Sequence, residues 1–173
     1  MLQKIRRVVT GHNEEGKSVI VSDAASPNSL TILDDPACGL TDLWVTSATP
    51  VDNSTTGDPA ARRITLEPPA SGSIFRVVEF PPDMQLPQTL DRKAVFEAMG
   101  ASTAMDSSSS ARHPLMHKTA SVDYAIVLSG EIYAMMDIGE TKLSAGDCLV
   151  QRGTNHAWSN RSDKSCLVAF ILI

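Results

Sequence analysis

Residues 146–160 read GDCLVQRGTNHAWSN. A short apolar run through Val150 gives way to a turn at Gly153, and His156 opens a second run that contains Trp158. Glycine at such a turn admits backbone geometry that other residues resist, so the chain can reverse there and continue as a new strand. His156 then stands at the mouth of a β structure. The chain has four histidines, so the role of this one depends on what the remaining sequence brings to it.

Working outward, strand signals dominate. VDYAIVLSG, EIYAMMDIG, ETKLSAG and DCLVQRG precede the turn, and SCLVAFILI closes the chain. Their turns carry Gly130, Gly139, Gly146 and Gly153, seven to nine residues apart. Many short strands with regular turns predict an all-β fold, an antiparallel barrel or sandwich. Upstream, KIRRVV, the turn HNEEGK and SVIVSD predict a hairpin, with Gly16 supplying the tight backbone. TDLWVTSA, RITLEPP and SIFRVVEFPP read as further strands, the last two closed by Pro-Pro pairs that cannot extend a ladder.

Residues 83–116 differ. TLDRKAVFEAMGA reads as a helix: Asp91 caps it, Val95, Phe96 and Met99 share a face, and Gly100 ends it. The Ser-rich STAMDSSSSAR follows, and a long insertion of this kind reads as a mobile lid over a pocket. The division is one domain over 1–173: N-terminal strands in 1–82, helix and lid loop in 83–116, and the glycine-turned strands in 117–173.

HKTASVDYAIVLSGEI and GDCLVQRGTNHAWSN together resemble the two sequence motifs of the cupin superfamily, small jelly-roll β-barrels. With Gly130 as anchor, Asp123 takes the place of the first motif's Glu, Thr119 that of its second His and His117 that of its first. Gly146, Gly153, His156 and Asn160 occupy the second motif, with Gln151 where proline usually stands. The resemblance implies an antiparallel jelly-roll barrel, here with an N-terminal β extension and a helical lid. It also implies a homodimer joined through sheet edges or exchanged N-terminal strands, and a divalent metal (Fe, Mn, Zn or Ni) held by His117, Asp123 and His156. Thr119 removes one imidazole from that set. What remains has the ligand types of a two-histidine, one-carboxylate site with open positions. The same three groups also suit a metal-free acid–base pocket.

Other residues are placed around that centre. His113 lies four residues before His117 across Pro114; an extended backbone would put 113, 115 and 117 on one side, as a further ligand or substrate contact, whereas a loop would leave His113 in solvent. Arg76 and Glu79 fall on opposite faces of their strand, so one of them points inward or both sit at an edge. Tyr124 and Arg76 are candidate proton carriers. Thr119, Trp158, Met116 and Phe96 are candidate pocket walls.

Composition bounds the rest. A chain of 173 residues forms one domain with a core of its own. A net charge of −5 argues against nucleic acid or an anionic membrane surface as partner. No window has the roughly 18 apolar residues of a bilayer span, and the N-terminus lacks the pattern of a secretory signal. Three cysteines without CxxC spacing point to a reducing, cytoplasmic setting, with Cys148 and Cys166 as small apolar strand residues. Three functions follow. The first is a metal-assisted lyase or isomerase acting on a small oxygenated organic acid, phenol or polyketide-like compound. The second is a non-haem Fe(II) dioxygenase, and the third a non-catalytic small-molecule binder.

Overall fold

In the computed structural model, which describes residues 1–32, 38–54, 57–87, 91–101, 103–108 and 111–173, the apolar alternation resolves into eleven strands. These are β1 (Arg6–His12), β2 (Ser18–Ala25), β3 (Ser29–Thr31), β4 (Gly39–Thr46), β5 (Ser73–Phe80), β6 (Val122–Ser129), β7 (Glu131–Met136), β8 (Glu140–Ser144), β9 (Cys148–Arg152), β10 (His156–Ser159) and β11 (Cys166–Leu172). Among the described residues a 3-10 turn (Asp83–Gln85) and one α-helix, α1 (Arg92–Ala98), precede β6. The strands form three sheets, ordered β1-β2, β10-β7-β8 and β3-β4-β5-β11-β6-β9. Every strand pair is antiparallel. The last strand, β11, lies between β5 and β6, so distant parts of the chain close the large sheet.

The core lies between the six- and three-stranded sheets. Ile74, Ala125, Val127, Val168, Phe170 and Leu172 project from the large sheet onto Ile132, Ala134, Leu143 and Trp158 of the small one. Burying each large apolar side chain contributes about 1.5–3 kcal/mol. β11 reads CLVAFIL because it is covered on both faces. Its other side chains, Leu167 and Ala169, pack with Leu43 and Val77 beneath Ile5 of the N-terminal segment. β6 alternates: Asp123, Ala125 and Val127 are buried, while Val122, Tyr124 and Leu128 are exposed.

Local signals act as expected in several places. The Asp91 carboxylate accepts from Ala94 N–H at 3.0 Å to cap α1, and Gly100 ends the turn at φ +63°. Gly130 turns β6 into β7 at φ +77°, and a Cβ there would stand 2.9 Å from Ser165 O. Only glycine fits that corner.

Two readings are corrected. RITLEPP forms no strand; its backbone is engaged elsewhere, Leu66 N–H donating to Met99 O and Thr65 O accepting from Arg76. Cys148 is exposed and Cys166 buried, so they do not share an environment. Within the N-terminal strands, the β1–β2 hairpin forms a sheet of its own, while β3, β4 and β5 share a sheet with β6, β9 and β11. The jelly roll is two facing sheets rather than a closed ring. Residues 88–90, 102 and 109–110, part of the expected mobile lid, lie outside the described residues. No helix among the described residues is long and apolar enough to cross a membrane.

Candidate functional site

The Gly153 turn delivers His156 directly against His117. The two residues exchange backbone hydrogen bonds, N–H to O at 2.9 Å in both directions, so their side chains leave the same side of one antiparallel pair. The ring centroids are 4.4 Å apart. Phe96 of α1 packs against His117 with its ring tilted by 57° and the centroids 5.4 Å apart, and Trp158 meets His156 edge-on at 6.0 Å.

Each imidazole is oriented by its own loop. His117 Nδ1 lies 2.9 Å from Leu115 O and His156 Nδ1 lies 2.9 Å from Thr154 O. A carbonyl only accepts, so Nδ1 carries the proton in both rings and each Nε2 presents a lone pair. Burial holds both rings below the ordinary histidine range; His156 falls to about 3, with the neighbouring His117 adding to the effect. Both are neutral at physiological pH.

A buried carboxylate shares the cavity. Thr119 Oγ1 lies 2.8 Å from Ser121 Oγ, which donates to Asp123 Oδ1 at 2.6 Å. Burial raises Asp123 above the usual carboxylate range, opposed by the Ser121 hydrogen bond and by Arg76. Arg76 stands directly opposite Asp42 on β4. Its Nε is 3.0 Å from Asp42 Oδ1, close but not aligned as a hydrogen bond, while Nη2 donates to Asp42 Oδ2 at 3.3 Å and Thr65 O at 2.7 Å. Arg76 is thus the inward residue of its strand. Glu79, on the other face, accepts Gln3 N–H at 2.8 Å, so the edge reading for both is overturned.

One cavity of about 140 Å³ gathers these groups: His117, His156, Asp123 and Arg76, within walls supplied largely by apolar residues such as Leu40, Val95, Phe96, Met99, Trp158 and Phe170. That is several times the space a water needs. The remaining candidates lie elsewhere. Tyr124 alternates out of the cavity and is 44% exposed. Met116 is fully enclosed but does not line the cavity. Thr119 contributes through Ser121 rather than as a wall. His113 is turned away because residues 113–116 form a turn, with Met116 N–H donating to His113 O, and are not extended. Half-buried, His113 is not among the residues lining the cavity, and its Nδ1 accepts from Leu115 N–H at 3.2 Å.

Asp42 and Ser121 were not singled out from the sequence. Asp42 had a signal, a charge inside the apolar strand TDLWVT that requires a buried partner. Ser121 had only its alternation with Thr119 and Asp123.

Two imidazoles with bare Nε2 atoms are good donors for a divalent ion, and their Nδ1–H to carbonyl bonds are the orientation metal-binding histidines use. The third ligand does not join them. No group of three His, Cys, Asp or Glu side chains among the described residues converges as a metal-holding set. Asp123 is committed to Ser121 and lies toward Arg76, so the residues present do not fit the expected three-ligand centre.

Two facing antiparallel sheets, glycine-turned strands and a histidine pair from the two motifs give the chain the fold of the cupin superfamily. No protein-family model matches it. Over 49 residues it is 59% identical to phomopsin biosynthesis cluster protein C' of Diaporthe leptostromiformis; the match covers 28% of this chain and 26% of that relative's length. Nearly the whole chain aligns with the cupin-domain-containing oxidoreductase virC of Hypocrea virens, 28% identical over 92% of this chain and 69% of that protein. The cupin-domain-containing oxidoreductase srdD of Neurospora crassa is 29% identical over 92% of this chain and 68% of its own length.

Proposed function

We propose that the chain is an enzyme that binds a small, largely apolar, oxygen-bearing organic molecule in this cavity and moves a proton on it. Enolisation, dehydration and decarboxylation all fall within that chemistry. The observation that carries the reading is that two adjacent neutral imidazoles and, apart from them, one buried carboxylate line the same largely apolar cavity. Asp123, raised by burial, exchanges a proton with a carbon next to a substrate carbonyl. Nε2 of His117 or of His156 accepts a hydrogen bond from a substrate hydroxyl and fixes its pose. Phe96 and α1 cover the bound molecule and keep water out.

A second reading, an oxidoreductase, is favoured by the similarity to virC and srdD, both named as cupin-domain-containing oxidoreductases. The name of the phomopsin relative favours a place in natural-product assembly for either reading. We further infer a homodimer formed through the β1–β2 hairpin, where Val8, Val19, Ile20 and Val21 are exposed.

The test is deuterium wash-in next to the carbonyl of a benzo-fused cyclic ketone such as 2-tetralone in D₂O, run in air and under nitrogen. Proton-transfer catalysis gives exchange in both atmospheres that is lost in Asp123→Asn. Oxygen consumption coupled to turnover supports the oxidoreductase, and exchange no faster than in Asp123→Asn sinks the proton-transfer reading.

A further inference from the structure

We propose that the ligand is an organic acid, seated with its carboxylate on the unused Nη1 edge of Arg76. The proposal rests on the cavity being a small-molecule site and narrows what that site takes.

Arg76 is 2% exposed, and a guanidinium carries five N–H donors. Nη2 donates to Asp42 Oδ2 and Thr65 O, and Nε lies 3.0 Å from Asp42 Oδ1 as an ion-pair contact without hydrogen-bond alignment. Nη1 donates to no group among the described residues, yet it is absent from the sealed, unpartnered atoms, whereas Nε of the same side chain is among them. The surface it reaches is the cavity wall that Arg76 helps to form. A donor-only cationic edge therefore opens into a chamber whose other walls are largely apolar.

The fold holds that edge in place. Asp42 faces Arg76 across the β4–β5 pair and fixes one side of the guanidinium, and the Thr65 carbonyl fixes another. Such a clamp does not serve an arginine that merely neutralises Asp42, because Asp42 alone leaves Nη1 unpaired at depth. A carboxylate is the matching partner: it accepts only, and its bond to the guanidinium is charge-assisted. A hydroxyl would bring a donor of its own to the same place.

The register says what this seat does for the reaction. Phe170 on β11 faces Arg76 on one side and Ala125 on the other, and the next inward residue, Leu172, faces Asp123. Arg76 and Asp123 thus lie one inward step apart across β11. An acid held at Arg76 carries the carbon next to its carboxylate toward Asp123, and its apolar body extends toward Phe96 and the imidazoles.

The test uses the intact wild-type chain with 2-naphthoate, its methyl ester and 2-naphthol, binding being measured by calorimetry and by Trp158 fluorescence. The expected result is naphthoate at least tenfold tighter than its ester. Arg76→Lys, which keeps the charge facing Asp42 but removes Nη1, is expected to cut that advantage below threefold while the ester binds as before. Equal binding of acid and ester by the wild type overturns the carboxylate seat and leaves the cavity reading intact. No binding of any of the three overturns both. Should Arg76→Lys fail to fold, the wild-type comparison of acid and ester decides alone.

Discussion

His117 and His156, 39 residues apart in the chain, are direct antiparallel partners: each backbone N–H donates to the other's carbonyl at 2.9 Å, and the two rings stand 4.4 Å apart on one side of that pair. Carbonyls of Leu115 and Thr154 fix the proton on Nδ1 in both, so two lone pairs face a single chamber. That arrangement, with Asp123 and Arg76 across the cavity, underlies the predictions that follow.

The histidine pair should bind a soft divalent ion without help from Asp123. In Ni²⁺ titrations, His156→Ala and His117→Ala should each abolish binding, whereas Asp123→Asn should leave it unchanged, because Asp123 does not converge with them. An equal loss in Asp123→Asn would restore the three-ligand centre.

Acid should destabilise the fold through His156. Burial, with His117 beside it, lowers its folded-state pKa to about 3, against an ordinary value of 6.5. Above pH 6.5 the ring is neutral in both folded and unfolded chains, so its contribution is fully present. Below 6.5 the unfolded chain takes up a proton that the folded chain refuses, and stability falls until about pH 3. The loss is about 1.4 kcal/mol per pH unit. Thermal melts between pH 7 and 5 should show Tm falling more steeply in wild type than in His156→Leu; parallel slopes would contradict this.

Breaking the Arg76–Asp42 pair should cost more than replacing it. Both side chains are nearly inaccessible, so Asp42→Ala should cost about 3–5 kcal/mol by stranding a buried charge. The double variant Arg76→Met with Asp42→Leu should recover most of that stability. Denaturant midpoints read both, and a double variant no better than the single would show that packing, not charge, dominates.

Asn160 should behave as a structural staple. It is 1% exposed; its Nδ2 donates to Phe80 O at 2.9 Å and Lys164 O at 2.7 Å, and its Oδ1 accepts from Ser162. Asn160→Ala strands those groups and should cost about 2–3 kcal/mol in chemical denaturation while leaving ligand affinity in the folded protein unchanged. A tenfold loss of affinity at full stability would place Asn160 in the site instead.

The fold was legible where one local rule decided the outcome. Turn glycines marked the strand reversals, Asp91 and Gly100 bounded α1, and the spacing of His117, Asp123, Gly130, Gly153 and His156 marked the motif strands. Legibility failed where tertiary partners decided. RITLEPP has strand composition, but Arg76 and the end of α1 take its backbone groups. Tyr124 adjoins Asp123 in sequence and so, by the two-residue period of a strand, faces the other way. Arg76 had no visible partner until β4 set Asp42 opposite it. His113 was lost to the turn at Pro114, where its ring accepts from Leu115 N–H and takes no part in lining the cavity.

The most direct measurement is a long-range ¹H–¹⁵N correlation spectrum of the imidazoles at pH 7, before and after addition of 2-naphthol. Two neutral rings are predicted for His117 and His156, both protonated at Nδ1, with the Nε2 resonance of at least one of them shifting when the phenol donates to it. A protonated Nε2 on either ring, or Nε2 resonances indifferent to the ligand, would contradict a shared centre.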